Sequence, residues 1–503
     1  MIRKHPFYPR IKRFPVLITG TIGLAIIVVA FTAPSTIEDL FLPGSQDSES
    51  ITFEGPARCL SCHGNYDIET EPFFSWSGSM MAQAARDPLY EACLAISNQD
   101  VPSSGDLCIR CHAPEGWLGG RSIPTDGSTL TQADKEGIHC DFCHRMIKPG
   151  VPGSNPYPAD QIYTANTWPA DNSYLASVDS LPPLSGNGMY LVDPDDTKRG
   201  PYVEAGAKHA YHYSPFHSES EICGTCHDVS NPVFDRQPDD SYTPNAFGFS
   251  APSFNTYDLF PVERTYSEWL MSAYNTPEGV YAPQFGGNKH HVSTCQDCHM
   301  KDISGVAANK TSAIYRNDLS HHDLTGGNTF IPAIVAELYP SDVDPVALDS
   351  GESRARTMLQ LAASMDLNLT TTEEHLIARV RVTNETGHKL PSGYPEGRRI
   401  WINMIAMDAS GRVIYESGHY TDSTANLIQD DAIKIYEIKP GLDALMAGIT
   451  DLPEGPSFHF VLNNTIFSDN RIPVSYTHLR AHETLISISY AVFCLTRGGG
   501  GGG

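Results

Sequence analysis

Cys59-Leu-Ser-Cys62-His63 sets two cysteines with two residues between them and a histidine directly behind the second. The pattern returns as Cys108-Ile-Arg-Cys111-His112, Cys140-Asp-Phe-Cys143-His144, Cys223-Gly-Thr-Cys226-His227 and Cys295-Gln-Asp-Cys298-His299. At this chain's cysteine and histidine frequencies, chance yields on the order of 0.01 such motifs. C-x-x-C-H is the attachment signature of a c-type heme. Two thiols add to the two heme vinyl groups, and the two intervening residues set their separation. The histidine after them lies under the iron as proximal ligand. Zinc ribbons also use C-x-x-C pairs but do not require a histidine after each one. A thioredoxin-like pair is usually single and lies in a βαβ unit. The expectation is five heme c groups, attached through Cys59, Cys62, Cys108, Cys111, Cys140, Cys143, Cys223, Cys226, Cys295 and Cys298. The proximal ligands are then His63, His112, His144, His227 and His299.

Each iron has a second axial position. A histidine there keeps the potential low, a methionine raises it, and an empty position admits substrate. The histidines outside the motifs between residues 50 and 400 are His139, His209, His212, His217, His290, His291, His321, His322, His375 and His388. They outnumber the sites, so nothing forces an empty position. His209, His212 and His217 cluster just before Cys223, and His217 ranks first among them. His321 and His322 precede a turn-rich loop, and His322 is favoured. His290 and His291 precede the fifth motif; adjacent residues point apart, so at most one faces any one iron, and His291 is kept as the candidate. His388 stands in the tight loop Gly387-His388-Lys-Leu-Pro-Ser-Gly393, which reaches back towards a heme or lies at the surface. His139 directly precedes Cys140 and points elsewhere, and His375 reads as a surface strand residue. Met81, in Trp76-Ser-Gly-Ser-Met80-Met81-Ala, opens a helical stretch towards Ala95 and is either a ligand or core packing.

Outward from the motifs, the chain changes character. The segment Pro149–Pro261 is rich in Pro, Gly, Asn, Asp and Tyr and reads as irregular. From Met365 the pattern alternates: Leu376-Ile-Ala-Arg-Val380-Arg-Val382-Thr is a half-buried strand. Ile400–Met407, Asp408-Ala-Ser-Gly411-Arg412 and Val413–Glu416 read as strand, turn, strand. The expected fold is therefore a mainly α and irregular multiheme domain over 53–335, with short helices and loops around stacked hemes. A β-sandwich-like domain succeeds it over 350–473.

The chain has 503 residues and a formal net charge of -25. That acidity argues against nucleic-acid binding and suits the steering of a basic redox partner. At the N-terminus, Arg3, Lys4, Arg10, Lys12 and Arg13 precede an uncharged apolar run from Pro15 to about Ala33. Residues 1–34 read as an export signal, either cleaved or retained as a membrane anchor, with 35–52 as linker. By its length the retained anchor is the expectation. The chain beyond the linker is then periplasmic or extracellular. At the other end, Val474–Thr484 and Ile488–Leu495, back-translated, match consecutive pieces of a sequencing-library adapter. Gly498–Gly503 then matches the poly-G written when template ends. Residues 474–503 are read as a non-native tail, and Cys494, His478 and His482 carry no function.

With these residues in view, about 55–470 resembles multiheme cytochromes of the superfamily that contains the tetraheme cytochromes and hydroxylamine oxidoreductase. The resemblance rests on the five motifs, on Ser214-Pro-Phe-His217 before Cys223-Gly-Thr-Cys226-His227-Asp228, on His322-Asp-Leu-Thr-Gly-Gly-Asn328 and on Gly387-His388-Lys-Leu-Pro. It implies that upstream histidines such as His217 and His322 are distal ligands. The Trp76–Ala82 segment resembles one that carries a distal histidine in the family, and here Met81 stands at about that place. Hydroxylamine oxidoreductase has more motifs than five, and the C-x-x-C-K motif of pentaheme nitrite reductases is missing. The expectation is an electron carrier between redox partner proteins. Two other readings stand beside it: an oxidoreductase acting on a small nitrogen or sulfur oxyanion at a five-coordinate heme, and a homo-oligomeric subunit of a heme filament.

Overall fold

The computed structural model describes residues 38–49, 51–150, 168–371 and 376–474. The N-terminal segment, His375, part of the irregular stretch and all but the first residue of the tail lie outside them. Among the described residues no helix is long and apolar enough to cross a membrane.

Short helices make up the first part, several of them started by a local signal. Proline occupies the first turn of Pro56–His63, Pro72–Ser77, Pro88–Asp100 and Pro114–Leu118, where its missing N–H costs nothing. The stretch from Met80 towards Ala95 is not one helix. Residues 79–86 form turns, and the helix starts only at Pro88, capped by the Asp87 side chain on the Leu89 N–H. A residue before proline is pushed out of the helical region, so Asp87 cannot continue a helix into Pro88.

The apolar core of this part joins Ile109 and Phe142 to Leu94, Trp117, Tyr190, Leu191 and Phe216. Ile109 and Phe142 are intervening residues of the second and third motifs, so those motifs are bolted to the core from inside the pattern. The region also holds sheet. Val229–Arg236 pairs antiparallel with Tyr242–Pro244 on one side and Leu259–Glu263 on the other. Pro232 lies inside the central strand, where the register shifts between Asn231 and Asp235 and a missing N–H is tolerated.

The helix Pro345–Ala362 runs straight into the strand Ala363–Thr371. That strand pairs antiparallel with Leu376–Asn384 in unbroken register, from Ala363 opposite Asn384 to Thr371 opposite Leu376. The alternation seen in sequence appears as buried Ala378 and Val380 flanking exposed Arg379. Lys434–Leu442 is the centre of a four-stranded sheet with Arg399–Ile402, Gly455–Pro456 and Thr465–Asp469. Met404–Met407 and Val413–Ser417 form the expected hairpin, whose turn is held by Asp408 accepting from the Ser410 and Arg412 N–H groups. The strands pair as hairpins and one small sheet.

Candidate heme centres

Each C-x-x-C-H motif lies on a short helix or at its end: Pro56–His63, Gly105–His112, Cys140–Cys143, Ser220–Gly224 and Cys295–His299. In a helical turn residues i and i+3 share a face, so both thiols of a motif point the same way. All ten are free of disulfides. Local capping fixes where the turn begins. At the fifth motif Thr294 and Asp297 form a reciprocal capping box. At the third, His139 accepts from the Phe142 N–H and its other nitrogen meets Glu115 at 3.0 Å. His139 is thereby used up as a cap.

The five motif histidines share one arrangement. Each Nδ1 meets an oxygen brought from elsewhere in the chain: Ala307 O for His63 (2.7 Å), Ala84 O for His112 (2.9 Å), Arg199 O for His144 (2.6 Å) and Thr325 O for His299 (2.6 Å). His227 differs, because its acceptor is the Glu263 carboxylate at 3.0 Å. A bound Nδ1–H sets the tautomer and leaves Nε2 with a lone pair, as an imidazole that ligates a metal requires.

Other imidazoles face three of these. The ring centres of His63 and His209 are 6.5 Å apart, those of His299 and His388 6.4 Å, and His144 faces both His217 at 5.6 Å and His322 at 6.0 Å. Two metal–imidazole bonds of about 2 Å each, with about 1 Å from nitrogen to ring centre, span about 6 Å. The donor set therefore fits an ion held between two imidazoles at the first, third and fifth motifs. His209, His322 and His388 have Nδ1 on a nearby carbonyl, of Ala210, Ser320 and Lys389, and so keep Nε2 open. His217 is reversed: its Nε2 meets Cys143 O at 2.9 Å, and its Nδ1 is buried without a partner. Burial pushes His217 and His322 down to about 3 and His388 to about 4, holding them in the neutral form that ligates.

His388 reaches His299 because its loop is clamped onto the helix Thr265–Leu270. Glu268 of that helix accepts from Lys389 N and Ser392 Oγ, both at 3.0 Å, and pairs with Arg471 at 3.0 Å. Gly387 lies against Trp269 and Tyr274, where a Cβ would stand 3.1 Å from the indole. Of the remaining candidates, His212 sits on a short strand opposite Arg199. His291 is exposed, its ring against Tyr281. Met81 packs against the core, with its carbonyl holding Ile138 N. His112 stacks on Tyr90 with ring centres 4.1 Å apart. Among the described residues no ring contact joins His112 or His227 to another histidine, nor His212, His291 or Met81 to a motif histidine.

The motifs are close neighbours. The thiol of Cys59 neighbours that of Cys140, Cys111 that of Cys226, and Cys223 that of Cys295. The first site thus adjoins the third, and the fourth adjoins both the second and the fifth. Two glycines allow the approach. A Cβ on Gly188, at φ +66°, would meet Cys111 Sγ at 2.7 Å, and one on Gly224 would enter the Tyr266 ring.

No protein-family model matches this chain, and no curated protein does. A solved structure similar to it is that of a penta-heme cytochrome c552 from Thermochromatium tepidum, at 17% identity over 84% of each chain, with a TM-score of 0.46.

Proposed function

We propose that this chain is a multiheme c-type cytochrome that carries electrons between redox partner proteins through five covalently bound hemes. The observation that carries the reading is the shared Nδ1 anchoring of all five motif histidines, which leaves five Nε2 atoms beside five thiol pairs. Bound heme supplies one-electron ferric/ferrous chemistry at each site. The thiol pairs would hold the groups as thioethers, each formed by adding S–H across a vinyl double bond with no atom lost. His63, His112, His144, His227 and His299 would hold the irons from one face. His209, His322 and His388 would hold the first, third and fifth from the other, and those three sites then serve transfer without exchanging ligands. The sulfur contacts make a branched path, and Cys143 lies within electrostatic reach of Cys223 and Cys226, which joins the third site to the fourth.

The basic and then apolar N-terminus supports a place outside the cytoplasm, tethered or released. The net charge of -25 supports a basic partner. The test is to express the protein with c-type heme maturation, count hemes per chain, and read optical and EPR spin state with and without nitrite or carbon monoxide. Five thioether-bound hemes, of which those at the first, third and fifth motifs ignore both ligands, support the electron carrier. Protein that carries no covalent heme overturns it, and one responsive high-spin heme turns the assignment towards an enzyme.

A further inference from the structure

The five motif histidines are alike except in what receives Nδ1–H. Four give it to a neutral backbone carbonyl, and only His227 gives it to a carboxylate. The contact is built into the fold. The three-stranded sheet sets Val229 opposite Glu263, so the residue two before Val229 comes to lie beside that side chain. The next residues close around it: Tyr266 N donates to His227 O at 3.0 Å, and Arg264 reaches Asp228 at 3.3 Å. Glu263 Oε1 also accepts from Thr265 Oγ1 at 3.2 Å, so the carboxylate is held from two sides.

We propose that Glu263 is a positioning residue that singles out the fourth centre: by taking the Nδ1–H of His227 on a carboxylate, it makes that imidazole a stronger electron donor than a carbonyl acceptor would and holds the midpoint of its iron down. The inference rests on the reading that the fourth motif carries a heme. Hydrogen bonds to an ionised acceptor are about twice as strong as those to a neutral one, and the acceptor behind a ligating histidine raises its basicity. More electron density on the iron favours the ferric state. Because the fourth site adjoins the second and the fifth, the midpoint that Glu263 holds down belongs to the centre between them.

The experiment is a spectroelectrochemical titration of the heme-loaded full chain, after heme counting, for wild type, Glu263→Gln and Thr265→Val. Substituting a partner behind a metal ligand typically changes the metal's energetics by at least tenfold, equivalent to about 59 mV for one electron. Glu263→Gln is expected to raise one midpoint by at least that amount and leave the other four in place. Thr265→Val removes one hydrogen bond from the carboxylate, leaves more of its charge for His227, and is expected to lower the same midpoint; it also releases Gly393 N and Ser392 Oγ of the His388 loop, so the fifth midpoint is read separately from the fourth. The opposite signs separate tuning from loosened structure, and Thr265→Val decides alone if Glu263→Gln does not fold. Midpoints that stay put in Glu263→Gln, that all move together, or that move the same way in both variants overturn the proposal. A wild-type chain with no heme at the fourth motif overturns the underlying reading instead.

Discussion

Glu396→Gln is expected to change the pH dependence of stability. The carboxyl of Glu396 sits among Phe260, Pro395, Phe460 and Ile466 and accepts from the Tyr394 hydroxyl at 2.6 Å. Burial pushes it up to about 7, and the hydrogen bonds from Tyr394 and Asn463 recover only part of that. The folded chain therefore keeps this proton to about pH 7, whereas the unfolded chain releases it near 4.5. The stability linked to this proton is fully present below about pH 4.5 and is lost as the pH rises through about 7. That gap, at about 1.4 kcal/mol per pH unit, amounts to about 3 kcal/mol. Solvent at the edge of the group trims it to about 2 kcal/mol. Glutamine keeps the shape and cannot ionise, so the variant should hold its stability between pH 5 and 8 while wild type falls by about 2 kcal/mol relative to it. Urea midpoints read by circular dichroism at pH 5, 6, 7 and 8 measure this, and groups common to both proteins cancel in the difference. Parallel curves for the two proteins would refute the reasoning.

The two histidines facing His144 can be told apart. His322→Ala should remove one low-spin signal from the EPR spectrum of the loaded protein, and His217→Ala should keep it, because only His322 presents an open Nε2 with Nδ1 on a carbonyl. Loss of the signal in His217→Ala alone would reverse the assignment. Arg199→Met takes the guanidinium from Asp171 and Asp193, which it meets at 2.8 and 2.6 Å in the interior. It should cost about 3–5 kcal/mol in urea unfolding. A loss below about 1 kcal/mol would place that pair among ordinary surface bridges.

The chemistry of attachment is legible because it is written in side-chain identity at fixed spacing. The imidazoles that face the motif histidines are half legible. Ser214-Pro-Phe-His217 and His322 are near His144, and His388 is near His299, but His209 ranks behind His217 in sequence and is the residue that faces His63. Which imidazole comes to face which motif histidine depends on tertiary approach, which a local cluster does not encode. The Nδ1 acceptors leave no trace, since four are backbone carbonyls and any residue has one. Glu263 carries an identity, but in Pro261-Val-Glu263-Arg264 nothing marks it until strand register sets it beside His227. Period-two alternation finds Leu376–Asn384, whereas Pro232 hides the strand Val229–Arg236 inside a run that reads as loop. Residues 79–86 read as helix in sequence because the apolar content outweighs the single stop at Asp87-Pro88.

The carbonyls behind the motif histidines also set an assembly order. His112 leans on Ala84, which precedes it, so the second site is furnished as soon as its own motif is made. His144 must wait for Arg199, and His227 for Glu263. His63 belongs to the earliest motif, yet it waits for Ala307, 244 residues later. A cofactor joined to Cys59 and Cys62 as the chain emerges would sit on an unfinished mount while the next 244 residues are made. Closing that loop is entropically costly and slow, so the oldest site in the growing chain matures after the second, third and fourth.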